Sequence, residues 1–115
     1  MGQIIVVFRA HPRHVDDEYM ATALRMRDKA IADFGCTEFV FAQTPDGEEV
    51  ALSYWPDEAS ILRWKNDPEH KVAQEQGKSL WYTSYRVQVA DITRQYGQTG
   101  HIPADQPPGT IQLPL

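Results

Sequence analysis

An α+β fold of element order β-α-β-β-α-β, with a four-stranded antiparallel sheet carrying its helices on one face, is what this sequence predicts. Three observations lead there. Residues 3–11 are rich in β-branched side chains, residues 16–34 repeat apolar positions at helical spacing behind an acidic cap, and Pro45-Asp46-Gly47 separates two further strand-like runs.

The first strand, residues 3–11, closes at Pro12. Side chains alternate across a strand, so Ile4, Val6 and Phe8 point one way and Ile5 and Val7 the other, which makes both faces apolar. Asp16 then caps a helix, Asp17 and Glu18 suit its positive N-terminal end, and Val15 is placed to staple against Met20. Tyr19, Met20, Ala23, Leu24, Met26, Ala30, Ile31 and Phe34 recur at helical spacing opposite Arg25, Arg27, Asp28 and Lys29, until Gly35 supplies the stop. Residues 36–44 and 48–55 form an antiparallel pair around the Pro-Asp-Gly turn. Asp57 caps a short helix carrying Ile61, Leu62 and Trp64 to about Asn66. At Asp67-Pro68 a capping aspartate precedes a proline at the first helical position, so a second helical piece runs towards Gly77 or a little beyond, with Val72 and Ala73 turned inward. Residues 81–96 return as a long strand in which Tyr85, Val87 and Val89 alternate with Arg86, Gln88 and Ala90. The folded domain is therefore expected over residues 1–96. An extended, proline-rich arm is expected over residues 97–115, which hold four of the eight prolines.

This order is the ferredoxin-like one. Its helices cover one sheet face only, whereas the first strand and the second (Phe39 and Phe41 against Val40 and Ala42) are apolar on both. A homodimer is the expected remedy, its two sheets packed face to face as a dimeric α+β barrel and the arm reaching over the partner.

Composition narrows the function classes. The 115 residues carry a net charge of −5, from 11 basic and 16 acidic side chains, with no basic stripe to follow a phosphate backbone, so no nucleic-acid partner is expected. The longest apolar run, Ile4-Ile5-Val6-Val7-Phe8, is far below the roughly 20 residues of a membrane span, so no membrane association is expected either. Cys36 is the only cysteine, which excludes an internal disulfide and fits a reducing cytoplasm. Four scattered histidines lack metal-ligand spacing, Ser53, Ser79 and Ser84 lack a nucleophile elbow, and no glycine-rich nucleotide loop is present.

The segments Ala51-Leu52-Ser53-Tyr54-Trp55, Trp64-Lys65-Asn66-Asp67-Pro68-Glu69-His70, Ala73-Gln74 and Trp81-Tyr82-Thr83-Ser84-Tyr85-Arg86-Val87 resemble the antibiotic biosynthesis monooxygenase (ABM) domain family. The likeness spans residues 3–96. It implies a dimeric α+β barrel and an oxidoreductase, either a small cofactor-independent monooxygenase or a haem-degrading one. In the haem-degrading branch a tryptophan is followed ten residues later by Ala-His, the histidine ligating iron, with an asparagine on the first strand. Here Trp64 matches, but the pair is Ala73-Gln74, and the first strand offers Arg9 and His11. A glutamine amide is a poor axial ligand. His70, one turn before Gln74 on the same face, is the residue left to substitute.

The expected reaction is thus monooxygenation of a small aromatic molecule of phenol or quinol type, in a pocket between sheet and helices. No resident cofactor is expected; haem binding and a non-catalytic, stress-related binding module are the alternatives. His70, near the start of its helix where the dipole favours a neutral imidazole, and Tyr85 are the candidates for proton transfer. Arg9 and Arg86 are the candidates for stabilising an anion. Trp64, Trp81 and Tyr82 are candidates to wall the substrate, and His11 shares a strand face with Arg9. The same aromatics equally serve to fill a core, and Arg9 to form a rim ion pair.

Overall fold

The computed structural model describes residues 3–13 and 15–97. The chain runs β1 (Ile4–Pro12), α1 (Asp17–Phe34), β2 (Glu38–Gln43), β3 (Glu49–Trp55), α2 (Glu58–Lys65), α3 (Pro68–Gln76), a π-helical turn (Gly77–Trp81) and β4 (Tyr82–Asp91). The expected arm lies outside the described residues from position 98 onward.

Each helix begins where its capping residue places it. Asp16, Asp57 and Asp67 accept hydrogen bonds from the backbone N–H groups of Tyr19, Ser60 and His70, satisfying donors that the first turn leaves without partners. Gly35 ends α1 in the left-handed region at φ 89°, where a side chain would be strained. Lys29 reaches both Asp67 and Glu69, and Arg25 also pairs with Glu69, fastening the start of α3 to α1.

All strand pairs are antiparallel, in the order β2-β3-β1-β4. Glu49, Ala51, Ser53 and Trp55 of β3 are buried in strict alternation and mark the helix-covered face. Beneath the helices Met26, Ala30, Cys36, Trp55 and Trp64 form the core, with Val6, Phe34, Phe39, Ile61 and Ala73 packed around it. The opposite face carries Ile5 and Val7 of β1, Leu52 and Tyr54 of β3 and Val40 of β2, and no element of the described chain covers it.

Three expectations are corrected. First, α1 meets the sheet along a narrower stripe than its composition suggests: Tyr19, Thr22, Met26 and Ala30 are buried, while Met20, Leu24 and Ile31 remain more than 40% exposed on the flank. Second, α3 buries no residue completely and Val72 faces outward, because its inward position is filled by the smaller Ala73. Third, β4 is shorter than residues 81–96. Trp81 belongs to the π-helical turn, whose i→i+5 bond runs from the Tyr82 N–H to the Gly77 carbonyl, and the ladder stops at Asp91.

Candidate active site

The sequence-derived candidates fall into three places. Trp81, Tyr82 and Tyr85 gather on the helix-side face near the start of β4. Trp64 and His70 sit at the junction of α2 and α3. Arg9, His11 and Arg86 lie on the opposite face of the sheet.

The first group is brought together by an irregularity. Tyr82 and Tyr85 are an odd number of residues apart, so a regular strand would send them to opposite faces. The register of β4 against β1 shifts between His11 and Pro12, and this bulge turns the Tyr82 ring to the helix side. There it stands 5.4 Å from Phe8 and 6.3 Å from Tyr85 between ring centroids, with Phe8 and Tyr85 stacked at 6.2 Å. Behind it, Tyr19 meets Tyr82 and Trp81 edge-on at 6.0 and 5.2 Å. Gly77 makes room for this arrangement. Its backbone is ordinary right-handed helix, but a Cβ there would stand 2.7 Å from Cε2 of Tyr82.

Exposure is graded across the cluster. Tyr85 is 46% exposed and Tyr82 half-buried, whereas Trp81, Glu49 and Tyr19 are 5%, 7% and 2% exposed. The Tyr19 hydroxyl donates a short hydrogen bond to the Glu49 carboxylate, and the Tyr82 hydroxyl lies 3.4 Å from that of Tyr19. Burial, reinforced by Glu49, pushes the Tyr19 hydroxyl far above the usual tyrosine range; burial also raises Tyr82. Beyond these rings, Val87 and Val89 of β4 continue the same face and are about half exposed, so the helices leave this edge of the sheet open.

Glu49 and Tyr19 were not among the sequence candidates. The signal was alternation: Glu49 shares the face of Ala51, Ser53 and Trp55, which places a carboxylate on the inward side of a strand, where it needs a donor.

At the second place the His70 ring lies flat on Trp64, with centroids 3.9 Å apart and planes 12° apart. Its Nδ1 is 3.0 Å from the Trp64 carbonyl, which can only accept, so Nδ1 carries the proton and Nε2 the lone pair. Burial lowers the imidazole below the usual histidine range, which favours its neutral form. The Gln74 amide, 3.2 Å from Nδ1, packs against His70 instead of standing free as a ligand. Trp64 also meets Phe34 at 5.2 Å, at the far end of α1 from Tyr19, about 22 Å of helix away. Trp64 and His70 thus form a packed aromatic pair, separate from the tyrosine cluster.

On the third, opposite face Arg9 donates to both Glu48 oxygens, Nε to Oε2 at 2.6 Å and one terminal nitrogen to Oε1 at 2.9 Å. Its fork is thereby occupied. Arg86 registers beside Arg9, and His11 lies 3.5 Å from the Ser84 hydroxyl. None of these three reaches the side of the sheet on which Tyr82 and Tyr85 lie.

The fold defines a class, the ferredoxin-like α+β proteins with a four-stranded antiparallel sheet. Within it the chain belongs to the antibiotic biosynthesis monooxygenase family, whose profile it matches over residues 1–76. The uncharacterized protein YqjZ of Bacillus subtilis (strain 168) is 36% identical over 90 residues, covering 78% of this chain and 79% of that one. A jasmonate monooxygenase of Pyricularia oryzae is 29% identical over 91 residues, which is 76% of this chain and 42% of the fungal protein. Among solved structures, Rv0793 from Mycobacterium tuberculosis superposes with a TM-score of 0.71 at 19% identity, over 81% of this chain and 97% of its own. SnoaB, a cofactor-independent oxygenase from Streptomyces nogalater, superposes at 0.70 with 14% identity, over 84% and 97%. At such identities these two structures speak to the fold.

Proposed function

We propose that the chain is a cofactor-independent monooxygenase acting on a phenol- or quinol-type aromatic molecule at the open edge of the helix-side face. The observation that carries this reading is the wall formed by Phe8, Tyr82 and Tyr85, with the Tyr82 hydroxyl standing at the boundary between exposed rings and the buried Tyr19–Glu49 pair. Family membership and the oxygenase relatives support it.

The chemistry asks little of the protein. A phenol that has lost its hydroxyl proton is electron-rich at the para carbon and reduces dioxygen itself. One oxygen atom bonds to that carbon, the para C–H bond breaks, and the second oxygen leaves as water, so phenol and O2 give quinone and water. The wall orients the ring by stacking, and a neighbouring group takes the proton. With a panel of phenols whose para carbon carries a hydrogen, such as 1-naphthols, oxygen uptake is expected, and Phe8→Ala and Tyr85→Ala are each expected to lower it at least tenfold. Uptake absent across such a panel, or unchanged in both variants, contradicts the reading.

The working unit in this proposal is a homodimer. Ile5, Val7, Leu52, Tyr54 and Val40 form an apolar sheet face that the described chain does not cover, and a second copy offers the same surface in return. Sedimentation at micromolar concentration is expected to give twice the chain mass. Placing an aspartate at Val7 is expected to shift the particle to a single chain; a single-chain particle for the unaltered protein contradicts the dimer.

A further inference from the structure

We propose that Glu49, acting through Tyr19 and Tyr82, sets the aromatic wall to take up the hydroxyl proton of a phenol, so that a free aryl hydroxyl is the feature the site selects. The inference rests on the phenol site proposed above and specifies its substrate: aromatic alcohols with an ionisable O–H, in preference to aryl ethers of the same shape.

The direction of the hydrogen bonds is fixed from the inside. The Tyr19 hydroxyl donates to the Glu49 carboxylate. Its hydrogen being spent there, the Tyr19 oxygen has only lone pairs for Tyr82, which makes the Tyr82 hydroxyl the donor of the outer contact. The Tyr82 oxygen is then left to accept, and it belongs to the half-buried ring beside Phe8 and Tyr85. At 3.4 Å the outer contact is longer than an ordinary O–H···O bond.

Proton transfer along this path balances. The hydroxyl proton of the substrate passes to Tyr82, that of Tyr82 to Tyr19, and that of Tyr19 to Glu49. Both tyrosines end as they began, Glu49 becomes neutral, and the substrate becomes a phenolate. One negative charge moves outward by the length of the chain and none is created. The raised hydroxyls of Tyr19 and Tyr82 keep both protonated at neutral pH, so they carry the proton and do not retain the charge. Glu49 registers with Ala10 on β1 and Gln43 on β2, which do not titrate, and among the described residues its side chain forms no ion pair. The groups acting electrostatically on Tyr19 and Tyr82 are each other and Glu49.

The test compares two neutral probes of near-equal shape, 4-nitrophenol and 4-nitroanisole, bound to the full chain at a pH where the free phenol is protonated. Hydrogen bonding to a chain that ends in a charge predicts roughly tenfold tighter binding of the phenol. Glu49→Gln, whose amide is also able to donate, and Tyr82→Phe, which leaves the Tyr19–Glu49 pair in place, are each expected to bring the two affinities to parity. A variant that merely loosens the wall weakens both probes alike and keeps their ratio. If Glu49→Gln fails to fold by circular dichroism, Tyr82→Phe decides. Equal affinity in the unaltered protein, or a tenfold preference retained in the folded variants, overturns the inference while leaving the wall. Failure of both probes to bind overturns the phenol site itself.

Discussion

Replacing Trp55 by alanine is expected to lower the unfolding free energy by about 3–5 kcal/mol, a large share of the ~5–15 kcal/mol that holds a domain of this size. Trp55 is 1% exposed and belongs to the core cluster with Met26, Ala30, Cys36 and Trp64. Its indole N–H donates to the Ser53 hydroxyl at 2.8 Å, so truncation opens a cavity and strips a buried hydroxyl of its partner as well. Trp55→Phe keeps a six-membered ring but loses the pyrrole half of the indole together with that donor, with a smaller expected cost of about 1–3 kcal/mol. Urea denaturation followed by tryptophan fluorescence and circular dichroism measures both. A Trp55→Ala midpoint indistinguishable from the parent would mean that the core does not depend on this side chain.

Gly77→Ala is the second change with a large expected effect, and here two tendencies oppose each other. Gly77 sits at φ −58° and ψ −48°, where alanine is the better residue by about 1 kcal/mol. Against that, the added methyl would stand 2.7 and 3.1 Å from two ring carbons of Tyr82, whose other sides are held by Phe8 and Tyr19. Because Phe8 and Tyr19 hold the ring on two sides, the clash wins, for a net destabilisation of about 1–3 kcal/mol. Displacing Tyr82 also removes its hydroxyl from the wall, with an expected loss of 4-nitrophenol affinity of tenfold or more. The pair Gly77→Ala with Tyr82→Ala should show favourable coupling, the second change relieving the strain of the first. A Gly77→Ala protein that is more stable than the parent and binds the probe unchanged would sink this account.

Much of the fold was legible because its punctuation is local. Asp16, Asp57 and Asp67 act on backbone N–H groups three residues away, Gly35 on the turn it closes, and the Pro-Asp-Gly loop on the hairpin it joins. The two-faced apolarity of β1 and β2 likewise revealed a sheet with one uncovered side. The site was less legible. Trp81, Tyr82 and Tyr85 were chosen for their chemistry and do converge, but strict alternation separates Tyr82 from Tyr85, and only the bulge opposite Pro12 and the π-helical turn before it reunite them. Those irregularities arise from packing between distant segments. Arg9, His11 and Arg86 fell on the other face because nothing local says which side of a two-faced strand the helices will cover. Glu49 stands in line with Ala51, Ser53 and Trp55, and that alternation is the signal in the sequence that turns it inward.

The strand order also governs when the molecule can assemble. β1 is made first yet lies in the middle of the sheet, between β3 and β4, and its pairing with β4 joins Ile4 to Asp91, almost the full length of the described chain. During synthesis the hairpin of β2 and β3 can close as soon as it emerges, while one long edge of β1 must wait for the final strand. Such distant pairing slows folding, and it leaves the apolar run at residues 4–8 without its β4 neighbour for most of translation. A chain stalled before Tyr82 would therefore lack both the last strand of the sheet and the outer tyrosines of the wall, so structural completion and the appearance of the site are one late event.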